Sequence, residues 1–187
     1  MAAAGIGHNG GPSMEAGASW RRHCWTAARA ALLPTLPVEV VRLRVKRAAQ
    51  LGLDYRTYAA VRAAGGRDVL AFLFSSNALR VTLPAPHLDG TRAARLAAIR
   101  DCGRLALAVA PLTPARLEMA ARGAIDAASP APAHLARFAD QAGAIRAAIG
   151  RLPRDGVVLV GDGALEEDWC AAGRLAAYLP AERYFGP

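Results

Sequence analysis

DVLAFLFSSNALRVTL, residues 68–83, is where the periodicity of this chain changes. Val69–Phe74 is an almost unbroken apolar run, as a buried strand requires. Leu79-Arg80-Val81-Thr82-Leu83 alternates apolar and polar, the period of a half-buried strand. Ser75-Ser76-Asn77 between them can form a hairpin turn. Before Asp68 the apolar residues recur at helical spacing. After Leu83 helical and strand-like stretches alternate. Helices are expected over 89–102 and 114–127. A further helix runs from the Ser129-Pro130-Ala131-Pro132 link to Gly150, and a closing one reaches Tyr178. Strands are expected at 105–110 and 157–160. The pattern predicts an α/β fold, with α+β as its variant: an N-terminal three-helix segment, then a small mixed sheet of about four strands covered by helices.

Three helices are expected upstream, at residues 17–33, 38–51 and 54–64. Ser19 can cap the first, and Pro34 ends it. Pro37 suits the start of the second, and Gly52 its end. Asp54 can cap the third, which stops at Gly65-Gly66. Residues 1–16 hold almost no apolar bulk and read as a flexible tail. The expected organisation is therefore a tail (1–16), a basic helical segment (17–67) and a small α/β domain (68–187).

The charge is unevenly placed. Residues 1–67 carry nine Arg and Lys46 against Glu15, Glu39 and Asp54, a net +7. Residues 68–187 are close to neutral, so the net +8 of the chain is an N-terminal property. A GC-rich coding sequence accounts for an Ala content of about a quarter and for Arg over Lys, but it acts on both halves alike. The asymmetry points to a polyanionic partner for one half of the molecule. Arg42, Arg44, Lys46 and Arg47, crowded on the second helix, are the candidate phosphate contacts.

The segment Arg44–Ala64 resembles the helix-turn-helix family. Ala48, Leu51, Gly52, Leu53, Tyr58 and Val61 stand at the offsets where that family places its small, turn and packing residues. The resemblance implies that residues 54–64 form a recognition helix. Tyr55, Arg56 and Thr57 would then face bases, with Arg62 nearer the backbone. Arg47 and Asp54 depart from the family's pattern, the first by its charge and the second by its sign. The tail sequence Ile6-Gly7-His8-Asn9-Gly10-Gly11-Pro12 is similar to that of an uncharacterised bacterial family with the same general layout. That likeness implies no chemistry.

A second class of function is legible at the strand ends. Gly161-Asp162-Gly163 follows an apolar strand and precedes a helix, where α/β sheets bind ligands. Ser75, Ser76, Asn77 and Asp162 are the candidate residues of such a nucleotide or small-ligand site, or of a small α/β enzyme. Glu166, Glu167 and Asp168 crowd the next turn and would repel a phosphate there, while complementing the helix dipole. Neither Ser has an identifiable base among His8, His23, His87 and His134, so the pair reads as turn chemistry. Cys24, Cys102 and Cys170 show neither metal nor redox spacing. The chain has no secretory signal and no apolar run of membrane length, and reads as cytosolic. The expectation is a small nucleic-acid-binding protein, DNA more than RNA, without cofactor or metal, with an enzymatic role left open but less favoured. Its C-terminal part would dimerise or sense a ligand.

Overall fold

The computed structural model describes residues 36–83, 86–133 and 135–186. The expected tail and first helix lie outside the described residues. The chain divides into two compact units, Met1–Val41 and Arg42–Pro187. The boundary thus falls within the expected basic segment, and residues 42–67 belong to the same unit as the sheet.

The sheet has five strands in the order β3-β2-β1-β4-β5, with every neighbouring pair parallel. The strands are β1 (Ala71–Ser75), β2 (Gly103–Ala108), β3 (Ala127–Pro130), β4 (Val157–Gly161) and β5 (Ala177–Pro180). Two helices precede the sheet, α1 (Val38–Gln50) and α2 (Tyr55–Gly65). The crossovers are α3 (Gly90–Ala97), α4 (Pro114–Ala120), α5 (Phe138–Ile149) and α6 (Ala164–Gly173), and α7 (Ala181–Phe185) closes the chain. Among the described residues no helix is long and apolar enough to cross a membrane.

Side chains alternate across the strands, so two cores form. Phe72, Phe74, Val158 and Val160 pack with Leu51 of the turn after α1, and with Tyr58, Val61, Leu96, Leu117 and Tyr184 from α2, α3, α4 and α7. Ala71, Leu73, Val157 and Leu159 pack on the other face with Ile145, Ile149, Trp169 and Cys170 from α5 and α6. This two-sided burial explains the continuous apolar reading of β1 and β4. The aromatic rings of Phe72, Phe74 and Tyr184 lie 5.1–5.6 Å apart in tilted pairs.

The sheet is therefore parallel and five-stranded, where a mixed sheet of about four strands was expected. The expected hairpin does not form. Residues 76–80 make a turn instead, through bonds from Leu79 N–H to the Ser75 carbonyl (3.1 Å), Arg80 N–H to Asn77 (2.8 Å) and Val81 N–H to Ser76 (2.9 Å). Leu79 and Val81 still point inward and Arg80 outward, so the alternation was real. It records burial at the sheet's end and not a ladder. The strands β3 and β5 were not expected. They are edge strands of four residues, AASP and AYLP, with no β-branched residue and a final Pro.

The helical hairpin α1–α2 agrees with its sequence signals. Gly52 takes φ +69°, and Asp54 caps α2 by accepting the Thr57 N–H at 2.9 Å. The hydroxyl and N–H of Thr57 hold the Asp54 carboxyl below its usual range. A Cβ on Gly52 would meet only ordinary contacts, 3.4 Å from Arg95 Nε and 3.6 Å from the Tyr184 hydroxyl. Gly52→Ala is therefore expected to cost only the backbone term, about 1 kcal/mol, in urea unfolding.

Candidate functional site

In a parallel sheet of this order, connections leave β1 toward one edge and β4 toward the other. The loops at their carboxyl ends diverge, and a crevice opens between them. Here that crevice has a volume of about 590 Å³. Asn77, Arg80 and Thr82 line it from the β1 loop, and Asp162, Gly163, Leu165, Glu166 and Trp169 from the β4–α6 side.

Glu166 organises the floor. Its side chain is buried, and both carboxylate oxygens accept hydrogen bonds. The Ser75 hydroxyl donates to Oε2 at 2.7 Å, the Asp162 N–H to Oε2 at 2.6 Å, and Asn77 Nδ2 to Oε1 at 2.8 Å. One carboxylate thus ties the end of β1 to the end of β4. Gly161 permits this approach: a Cβ there would lie 2.6 Å from Glu166 Oε2 and 2.6 Å from Tyr178 Cε2. The Tyr178 hydroxyl donates to the Gly163 carbonyl at 3.2 Å, and burial, then the Glu166 charge, raise its pKa.

The two serines are part of the scaffold. The Ser75 hydroxyl also accepts the Ala78 N–H at 3.0 Å, and the Ser76 hydroxyl accepts the Val109 N–H at 3.1 Å. Both side chains are buried, so neither presents a nucleophile to the crevice. Of the four residues expected at the strand ends, Asn77 and Asp162 line the crevice, and the serines hold its loop. The Asp162 carboxylate has no hydrogen-bond or ion-pair partner among the described residues. The Trp169 indole N–H is buried and has no acceptor among them. Both oxygens of Glu166 are engaged, and no group of His, Cys, Asp and Glu suited to a metal occurs among the described residues. Burial pushes the Cys102 thiol up to about 12 and the Cys170 thiol up to about 11, far from a reactive thiolate.

No family model, no curated protein and no solved structure matches this chain.

The residues expected to contact nucleic acid divide into two groups. Arg42 and Lys46 are exposed on α1 and Arg56 on α2, while Arg44 and Tyr55 are half-buried. The others serve the fold. Arg47 donates to Asp68 at 2.9 Å and to the carbonyls of Val69, Arg100 and Asp101 at 3.0–3.1 Å. Its charge was read as a departure from the helix-turn-helix pattern, and this network is the reason for it. Thr57 is buried and bonded to Asp54 and to Arg183. Arg62 lies 3.9 Å from Asp68. The turn itself is pinned: Arg95 donates to the Gly52 carbonyl at 2.7 Å and Tyr184 to the Leu51 carbonyl at 3.1 Å.

Arg80, Thr82 and Trp169 were not singled out as site residues, and Glu166 was read chiefly as complementing the helix dipole. For Glu166 the signal was present. Glu166, Trp169, Cys170 and Gly173 share one helical face, and all four are buried, while Glu167 and Asp168 are exposed. An acid in phase with Trp and Cys is a buried acid.

Proposed function

We propose that this chain is a small-molecule-binding α/β protein whose ligand sits in the crevice between the ends of β1 and β4. The observation behind this reading is the Glu166 node. A buried carboxylate with three donors ties two loops together at the point where parallel sheets bind ligands. The polar groups left over, on Asn77, Arg80, Thr82 and Asp162, converge on a volume suited to a small ligand. The serines are excluded from covalent chemistry, which makes binding the simpler function. Amide and indole NMR shifts during a screen of polar metabolites test this. Binders should move the signals of Asn77, Asp162, Gly163 and Leu165 together with the Trp169 indole. Shifts confined to other surfaces would overturn the reading.

A second reading is nucleic-acid binding, favoured by the exposed Arg42, Lys46 and Arg56. It rests on a smaller basic set than the sequence suggested, because Arg47 is spent inside the fold. Replacing Arg42 and Lys46 by Ala should flatten the salt dependence of duplex binding by about two units. Arg47→Ala should leave that slope unchanged and lower stability by about 2 kcal/mol. An unchanged slope for the double variant would remove this reading.

A further inference from the structure

Arg80 lines two clefts. Beyond it, a second cleft of about 410 Å³ is bounded by His87, Asp89, Thr91, Arg92, Phe185 and Gly186. We propose that the two clefts form one site for a phosphorylated pentose, its hydroxyls on Asp162 and Asn77 and its phosphate on Arg80, His87 and Thr91. This rests on the crevice reading and adds the class of ligand to it.

The charges separate along the site. The first cleft holds Asp162 and Glu166 against Arg80 alone. The exposed Glu167 follows in the same turn of α6. A phosphate at that helix start would face three carboxylates and is disfavoured there. The second cleft holds Arg80 and His87 beside Arg92, whose charge is matched by the single carboxylate there, Asp89. That carboxylate is already engaged: it accepts the Arg92 N–H and Arg92 Nη1, each at 2.9 Å. These bonds, the backbone one foremost, hold it below the usual carboxylate range. The second cleft is therefore the anion end, and the dipole of α3, which starts there, has the right sign.

The other end suits hydroxyls. Asp162 offers two unengaged acceptor oxygens, which fit a vicinal diol. Asn77 spends Nδ2 on Glu166 and keeps its carbonyl oxygen as an acceptor. Leu165 and Trp169 supply an apolar wall. Arg80 stands between the two ends in a left-handed conformation, φ +54°, which a residue with a Cβ rarely adopts. Its guanidinium has no hydrogen-bond or ion-pair partner among the described residues. A charged side chain held in a costly conformation where two clefts meet is placed to hold a ligand.

The shared chemistry is a phosphorylated ribose, free or within a nucleotide. Ribose 5-phosphate, AMP, adenosine and inorganic phosphate distinguish the cases when titrated against the full chain and its Arg80→Asn and Asp162→Asn variants. Asn tolerates the left-handed conformation, so Arg80→Asn should fold. Ribose 5-phosphate or AMP should shift the amides of Asn77 and Asp162 together with those of Thr91 and Arg92. Tighter binding of the first identifies a free sugar phosphate, and of the second a nucleotide; either supports the proposal. Arg80→Asn should weaken both phosphorylated probes about tenfold or more and leave adenosine unaffected. Asp162→Asn should weaken the sugar-containing probes alike and leave inorganic phosphate unaffected. Equal binding of the phosphorylated probes to Arg80→Asn overturns the proposal. So does failure of all four probes: if other metabolites still shift the crevice amides, the crevice reading survives, and if none does, both fall.

Discussion

Gly161→Ala is expected to lower the unfolding free energy by about 3 kcal/mol. The backbone is not the reason, since β4 is extended at this point and Gly161 pairs in register with Pro180 of β5. The reason is space. A methyl group would lie 2.6 Å from Glu166 Oε2, 2.6 Å from the Tyr178 ring and 3.0 Å from Glu166 Cβ. Neither neighbour can retreat cheaply. Glu166 is held by Ser75, Asn77 and the Asp162 N–H, and Tyr178 by the Gly163 carbonyl. Relief therefore requires breaking the node or opening the β4–β5 pair. The measurement is the urea midpoint at unchanged slope, with Gly163→Ala as the control. A Cβ on Gly163 has nothing within 4 Å, and its φ of −164° suits any residue. A change of less than 1 kcal/mol for Gly161→Ala would show that the node gives way easily (about the size of an ordinary surface effect).

The sequence made some levels of this structure legible and hid others, for identifiable reasons. The strands β1 and β4 were plain because both faces are buried, which demands an apolar run. The helix starts at Asp54, Asp89 and Pro114 were plain because caps are local chemistry. The strands β3 and β5 were hidden because an edge strand of four residues needs little side-chain packing to form. Its neighbour supplies the backbone bonds, as at Leu105–Ala127 and Val158–Ala177. The sheet's parallel order was hidden by the stretch after Asn77. Leu79 and Val81 enter the core from a turn and imitate a strand. A period-two pattern reports alternating burial, and a ladder is only one way to produce it.

The same limit applied to charge. Arg42 and Arg47 are alike in sequence, on one helix and five residues apart, yet one is exposed and the other ties Asp68 to three carbonyls. The partners of Arg47 lie 21–54 residues away, which no local pattern reveals. At the crevice the sequence indicated the loops, and the reading of the serine pair as turn chemistry agrees with their bonds to the Ala78 and Val109 N–H groups; the burial of Glu166 was not read. The hydroxyls proved to be scaffold. The carboxylate read as complementing a helix dipole is the centre of the site, and it is held across 91 residues by Ser75.

That carboxylate sets the last expectation. Glu166→Ala should cost about 4 kcal/mol, because it leaves the Ser75 hydroxyl, Asn77 Nδ2 and the Asp162 N–H without an acceptor and opens a gap beside them. Glu166→Gln should cost far less, about 1 kcal/mol. The glutamine oxygen can occupy the Oε2 position and accept from both the Ser75 hydroxyl and the Asp162 N–H. Its amide nitrogen then meets Asn77, which can rotate to present its own oxygen. The reverse placement would set the glutamine N–H against the Asp162 N–H, two donors with no acceptor, so the orientation is decided. Urea unfolding measures both costs, and the NMR signals of Asn77 report the flip. The ligand site should respond in the same order. Glu166→Gln turns Asn77 inward and weakens any ligand bound through its oxygen. Glu166→Ala lets the β1 and β4 loops move independently and abolishes binding to the crevice at temperatures where the protein is still folded. Losses of less than about 1 kcal/mol for both variants would mean that the hydrogen bonds of this side chain do not hold the two loops. The crevice would then have lost the feature that marks it as a site.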